Sequence, residues 1–338
     1  MASMSKRRQW LVMGSIVALI IVSLILLYVF FQGIESASTA REEPKGNLEG
    51  RFEGPKQVEY EGAVYEQKRR LTSILVMGID KSETREKPGK GFRAGGQADF
   101  LALMLIDSEN GEISTVQIDR DTMTEITTLG IFGNVSGMRR AQISLQHGFG
   151  DGAEQSAELT RDAVSRLFGG MPVDFYFALN MDAIAAFNDV LGGVEVEITD
   201  DFTAQDPMMK PGARLQLTGS QAELFVRGRM SVGDGTNRMR MARQRVFLSA
   251  AGDLMVNRLQ ESASFADRLL DTLNPYMVSN MRRGRMINEL NASRGYTRHP
   301  MLTLEGQSII GKDGFMEFHS DEKALEKLIL ALFFKPVS

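Results

Sequence analysis

Cysteine is absent from this chain of 338 residues, which excludes disulfides, thiolate metal sites and a cysteine nucleophile. Histidine is scarce: His147, His299 and His319 are the only ones, and none lies at metal-ligand spacing from another. Positive charge is not in excess. The net charge of −4 leaves no global basic field of the kind that draws in nucleic acid. The sequence contains no GxSxG elbow, no Walker loop, no HExxH and no dinucleotide GxGxxG, and it shows neither an internal repeat nor a low-complexity tract. Long apolar runs are missing too, with one exception, and that exception shapes the reading of everything after it.

The exception is Trp10 to Phe31, where the Tyr28 hydroxyl is the only ionisable group. As a helix it would be roughly 33 Å long, enough to cross a hydrocarbon core. Lys6, Arg7 and Arg8 precede it and Glu35 follows. The positive-inside bias therefore places residues 1–9 in the cytoplasm as a short tail, 10–31 in the membrane and the rest outside. A tail this short has no room for a DNA-reading domain. A cleaved signal peptide ending near Ser38-Thr39-Ala40 is the competing reading; the run is long for an h-region, so an uncleaved anchor is expected.

Residues 32–70 are polar and charged, with Pro44 and Pro55, and read as a linker lifting the domain off the bilayer. The domain is expected over 71–338. Leu71–Asp80 is a short Ile/Leu/Val run that reads as a buried strand, followed by a glycine-rich, charged loop from Lys81 to Gln97. Ala98–Asp107 and Glu112–Asp119 read as two strands joined by the hairpin chemistry of Ser108-Glu109-Asn110-Gly111. Residues 122–151 read as loop. Then come a helix over 152–168, a strand over 173–179, a helix over 181–191 and a strand over 194–198; this alternation predicts a layered α/β sheet. Thr218 is the expected N-cap of a helix to Arg229, and a long helical region runs from about Asn237 to Leu273. Residues 280–300 are basic and irregular, 256–300 read as a helical insertion, and Asp321–Phe334 is expected to be the last helix.

Two groups of residues could carry chemistry. Asp80 sits where an apolar strand breaks into a loop, and Asp99 begins the next strand. If those strands are antiparallel neighbours, both carboxylates face one point, and two hard oxygen ligands suit Mg²⁺. The plainer reading is a turn cap and an edge residue. The second group is the arginine block Arg227, Arg229, Arg238, Arg240, Arg243 and Arg245, in which Arg240, Arg243 and Gln244 share a helical face. Like charges so placed repel unless an anion or several carboxylates compensate, so the block is either a solvated basic face or an anion site. Arg120-Asp121 directly follows a strand and adds one more pair.

In order along the chain, these residues resemble the LytR–CpsA–Psr family of cell-envelope glycopolymer transferases. The family's G-x-D strand end is matched by Met77-Gly78-Ile79-Asp80, and its G-R-S-D-T segment by Gly95-Gly96-Gln97-Ala98-Asp99-Phe100. The S-I-P-R-D strand end is matched by Gln117 to Asp121, and K-I-N-x-A-Y-x-x-G by Arg140-Ala141-Gln142 through Gly148. The L-x-G block with paired arginines runs from Leu217 to Arg229, and R-x-x-R-Q is Arg240 to Gln244. The resemblance implies a central mixed β-sheet flanked by helices, and a pocket for a polyprenyl-diphosphate-linked glycan with Mg²⁺ or Mn²⁺ on its diphosphate. It implies Asp80 and Asp99 as metal ligands. Arg120, Arg227, Arg229, Arg240, Arg243 and Gln244 would contact the diphosphate, and Asp99, Arg120 and Asp121 would serve catalysis. It implies transfer of a glycopolymer to a peptidoglycan sugar hydroxyl at the outer face of the cell membrane, without nucleic acid. A pyrophosphatase or a non-catalytic envelope-binding protein are the alternatives. Departures from the pattern are Ala98 and Phe100 around Asp99, and Asp119 in place of the proline before Arg120.

Overall fold

The computed structural model describes residues 54–80, 95–130, 133–228 and 237–337. In chain order the strands are β1 Gln57–Tyr60, β2 Ala63–Gln67, β3 Leu71–Ile79, β4 Ala98–Asp107, β5 Glu112–Ile118, β6 Met123–Leu129, β7 Val135–Gln142 and β8 Phe175–Asn180. They continue with β9 Glu195–Glu197, β10 Arg214–Gln216, β11 Met277–Ser279, β12 Thr297–Arg298, β13 Leu302–Thr303, β14 Gly306–Ile310, β15 Met316–Ser320 and β16 Phe334–Pro336. The helices are α1 Glu154–Leu167, α2 Asp182–Leu191, α3 Gly219–Arg227, α4 Asn237–Glu261, α5 Phe265–Leu273, α6 Arg283–Ala292 and α7 Glu322–Phe333.

The central sheet runs β11-β8-β3-β4-β5-β12, with β13 also on β5. It is mixed: β3 is antiparallel to β4 and parallel to β8, and β4 is antiparallel to β5. A sheet covered on both faces needs apolar residues at nearly every position, and β3 and β4 supply them. Leu75, Met77, Leu101, Leu103 and Leu105 enter one core with Phe168 and Phe333. Their neighbours Ile74 and Ile106 enter a second core with Leu270, Met277 and Met286. A third cluster, built around Phe202, Phe225, Phe247 and Phe265, unites α2 to α5. Burying each such side chain contributes roughly 2 kcal/mol. Helix α1 stops at Gly169 and Gly170, whose φ values of 66° and 79° are left-handed and end the helix. Thr218 caps α3 as expected, accepting from Gln221 N–H while the Gln221 side chain accepts from Thr218 N–H.

Four expectations change. The 122–151 stretch is not loop: β6 and β7 form a two-stranded ribbon. Its Thr128–Gly137 part closes on itself through Gly130 N–H on Asn134 O at 2.8 Å and Ser136 Oγ on Thr128 O at 3.1 Å. The described end of the 32–70 linker is ordered structure, with β1 and β2 paired and β2 bonded to β16. Residues 256–300 are not wholly helical, because β11 forms the edge of the central sheet against β8. Within the irregular 280–300 stretch, Arg283–Ala292 is helical. The expected membrane span at 10–31 lies outside the described residues. Among the described residues no helix is long and apolar enough to cross a membrane.

Candidate functional site: a sheet edge where arginines meet aspartates

The antiparallel arrangement carries the C-terminal end of β3, the start of β4 and the end of β5 to one edge of the sheet. Asp80 follows β3 directly, and its N–H donates to Gln97 O at 2.8 Å, so the two chain segments are still paired where the loop begins. Asp99 occupies an irregular position. The register passes from Gly78 opposite Phe100 to Ile79 opposite Ala98, which leaves Asp99 as the extra residue of a β-bulge. A bulge breaks the alternation of faces and re-aims one side chain, and the side chain it re-aims here is the expected metal ligand.

Asp99 is met by two guanidinium groups. Arg120 Nη1 donates to its Oδ1, and Arg240 Nη1 donates to its Oδ2 at 3.0 Å. Arg120 projects from the turn after β5, and Arg240 from the first turn of α4. Each arginine has an additional neutral acceptor: Arg120 Nη2 donates to Gln97 Oε1 at 2.6 Å, and Arg240 Nη2 donates to Asn237 Oδ1 at 2.7 Å. Asp121 lies next to this pair, one carboxylate oxygen 3.4 Å from Arg120 Nε. Its backbone carbonyl accepts from Phe318 N–H at 2.8 Å, which fastens β15 behind the site. Arg227, the last residue of α3, is 3.5 Å from Asp80 and also pairs with Glu223 one turn earlier. Asp80 and Arg227 are the most open members, with 56% and 38% of their side chains exposed. Burial pushes the Asp119 carboxyl above the usual carboxylate value, against hydrogen bonds from Asp121 N–H and Asn237 and the fields of Arg240 and Arg120.

Asp80, Asp99, Arg120, Asp121, Arg227 and Arg240 are thus brought to the same strand ends. Arg229 lies outside the described residues. Arg243 does not join them. Its side chain is only 2% exposed and pairs with buried Asp200. Its Nε donates to Phe225 O at 3.0 Å, its Nη2 donates to Gly228 O, and the guanidinium lies 5.4 Å from the Phe202 ring. A guanidinium so engaged anchors the carboxyl end of α3, and with it Arg227, instead of facing an anion. Gln244 is likewise inside: its Oε1 accepts from Gln117 at 2.9 Å and its amide donates to Val226 O at 3.4 Å. Sequence reasoning did not find Gln97, Asn237 or Asp200; only Asp119 was visible, as a departure from the family pattern. His147 is buried, its Nδ1 2.8 Å from Gly95 O, where it braces the turn that leads into Asp99.

Gly96 has φ +69°, and a Cβ there would stand 3.2 Å from Asp80 O and 3.1 Å from the Ile79 side chain. The left-handed backbone and the close Cβ position favour glycine in the turn that feeds the bulge.

The central mixed sheet with its flanking helices agrees with the comparisons. The chain belongs to the LytR_cpsA_psr family, whose profile matches residues 27–332. A polyisoprenyl-teichoic acid–peptidoglycan teichoic acid transferase TagU from Bacillus mycoides is 29% identical over 262 residues, 76% of each chain. The TagU of Halalkalibacterium halodurans is 29% identical over 157 residues, an alignment spanning 46% of this chain and less than half, 44%, of that protein. Among solved structures, a Streptococcus agalactiae protein superposes with a TM-score of 0.63 at 20% identity, covering 78% of this chain and 87% of its own. TagT bound to LI-WTA superposes at 0.59 and 18% identity, covering 78% and 90%. At these identities the structures show a shared fold.

Proposed function

We propose that this protein is a membrane-anchored, extracytoplasmic phosphotransferase. It moves a glycopolymer such as a teichoic acid or polysaccharide from polyprenyl diphosphate to a peptidoglycan sugar hydroxyl. The observation that carries the reading is the convergence of Arg120, Arg227 and Arg240 with Asp80 and Asp99 at one sheet edge. Fixed guanidinium groups match phosphate oxygens in geometry and charge. The TagU relatives support the transferase class by their names.

In the reaction the acceptor hydroxyl oxygen bonds to the glycan-side phosphorus. The bond from that phosphorus to the bridging oxygen breaks, and polyprenyl phosphate leaves with the bonding pair. Arg120, Arg227 and Arg240 bind the diphosphate oxygens and offset the charge that builds on them, the main contribution to rate in phosphoryl transfer. The hydroxyl proton needs an acceptor. Both oxygens of Asp99 already accept from guanidinium groups, which makes it a poor base. Asp121, beside Arg120 Nε at 3.4 Å, is the better-placed carboxylate. Asp80 and Asp99 offer hard carboxylate oxygens of the kind Mg²⁺ or Mn²⁺ takes, and would hold the ion once Asp99 releases Arg120 or Arg240. When bound there, the ion would supply further charge neutralisation on the diphosphate.

The test is an assay of the full chain in detergent with a polyprenyl-diphosphate glycan, Mg²⁺ and peptidoglycan fragments. Transfer to the fragments is expected, and Asp99→Ala should abolish it in a protein that still folds. Unchanged turnover in that variant would sink the assignment. Release of glycan phosphate to water at the same rate without fragments would instead mark a pyrophosphatase.

A further inference from the structure

The two arginines on Asp99 are held in matching ways. Arg120 has one oxygen of Asp99 and the amide oxygen of Gln97; Arg240 has the other oxygen of Asp99 and the amide oxygen of Asn237. Asn237 is 9% exposed and its orientation is dictated. Its Nδ2 donates to Asp119 Oδ1 at 2.7 Å, while its Oδ1 accepts from Arg240. Flipping the amide would set oxygen against a carboxylate and NH₂ against a guanidinium, so only one orientation satisfies both neighbours. Asp119 is oriented in turn, since the same Oδ1 accepts from Asp121 N–H at 2.9 Å. The chain Asp121–Asp119–Asn237–Arg240 therefore ties the end of β5 to the start of α4.

Asp99 is the partner that both arginines would lose if its carboxylate turned to a cation or moved for substrate. A carboxylate in the auxiliary position would keep each arginine in place but cancel its charge. A neutral amide oxygen holds it and leaves the charge available. We propose that Gln97 and Asn237, the latter aligned by Asp119, are positioning residues that hold Arg120 and Arg240 ready for an anionic phosphate without neutralising them. Neither amide need touch substrate. They fix where the guanidinium groups stand before it arrives, the preorganisation that makes charge stabilisation effective. This inference rests on the transferase reading, and its test includes an arm that does not.

The experiment uses the full chain in detergent, with Asn237→Ala, Gln97→Ala and the exchanged pair Asp119→Asn with Asn237→Asp. The exchange preserves total charge and leaves Arg240 an acceptor at 237, but moves the negative charge from 119 onto that acceptor, so the guanidinium is held and neutralised. Each alanine variant is expected to lower kcat roughly ten- to a hundredfold with its melting temperature little changed, as small misplacements of a charge-stabilising group do. The exchanged pair should stay about as slow as Asn237→Ala although Arg240 is still held, because a carboxylate then stands at its auxiliary position and cancels its charge. In parallel, arginine side-chain ¹H–¹⁵N spectra are recorded without substrate, with Arg240 assigned from the signal lost in Arg240→Lys. Its slowly exchanging signal should persist in the wild type and the exchanged pair and vanish in Asn237→Ala. Wild-type kcat in both alanine variants, an exchanged pair that turns over like wild type, or an Arg240 signal unaffected by Asn237→Ala would each overturn the proposal. If the wild type transfers nothing, the function reading fails while the spectra still decide whether Arg240 is held.

Discussion

Arg243→Ala separates the two roles this arginine can have. Its spacing from Arg240 places it with the anion-binding group; its contacts place it in the core. Truncation removes the partner of Asp200, itself 7% exposed, and leaves the carbonyls of Phe225 and Gly228 without that donor. Breaking a buried pair by deleting one member costs about 3–5 kcal/mol, because the surviving charge stays desolvated. For a domain of this size each kcal/mol corresponds to about 2–4 °C in melting temperature, so a drop of roughly 10 °C is expected. Calorimetry or circular dichroism of the purified variant reads this directly. Much of the penalty comes from the stranded carboxylate, so Arg243→Met combined with Asp200→Asn should melt well above Arg243→Ala. Turnover per folded molecule should fall as well, since the carboxyl end of α3 carries Arg227, but the stability loss comes first. If Arg243→Ala melted within a degree of wild type and only weakened diphosphate binding, the assignment of Arg243 to the scaffold would be refuted.

Arg227→Ala should behave in the opposite way. Its partner Asp80 is 56% exposed, so stability should change by less than about 1 kcal/mol while transfer is lost, read by paired melts and assays. Asp119→Asn tests the cost of burying a carboxylate. Its pKa is raised above the ordinary 3.8, so the protonated form suits the fold, and stability falls as pH rises through the folded-state value. The asparagine variant should therefore melt above wild type at pH 7, with the gap closing as the pH is lowered below 3.8. Gly96→Arg should lower both stability and turnover, because φ +69° strains any side chain there and Asp80 O stands 3.2 Å from the new Cβ. A variant as stable as wild type would show that the turn can relax.

The parts of the fold that can be read from sequence are those fixed by local chemistry. The strands β3, β4 and β5 declare themselves because buried strands need continuous apolar residues, and Thr218 announces α3 because an N-cap is a local signature. The placement of Asp80 and Asp99 on neighbouring strand ends follows from strand order and one antiparallel pairing. What could not be read depends on distant partners. The bulge at Asp99 exists only in the register with β3. The strands β6 and β7 are rich in polar residues, with a glycine inside β7, and they owe their form to pairing with each other. Arg240 and Arg243 lie three residues apart with similar local sequence, yet one reaches the strand ends and the other a carboxylate 43 positions away. Periodicity gives a helical face but not what stands opposite it.

The charge balance at the edge leads to a last prediction. Among the described residues, Asp80, Asp99, Asp121 and Glu223 face Arg120, Arg227 and Arg240, and each of those arginines already has a carboxylate partner. A diphosphate adds at least two negative charges to a place with no surplus of described cations to meet them. Either the aspartates give up their arginines to it, or a second cation arrives with it. Releasing Asp80 and Asp99 from their arginines leaves two carboxylates on adjacent strand ends that must themselves be neutralised, and a divalent ion meets both needs at once. Binding of polyprenyl diphosphate and of Mg²⁺ should therefore be coupled. By calorimetric titration, each should tighten the other by the same factor, as linkage requires. Asp80→Asn should weaken the coupling more than it weakens diphosphate binding measured without metal. Equal affinity for the diphosphate in Mg²⁺ and in EDTA would show that the arginines suffice, and that the aspartates serve to hold them.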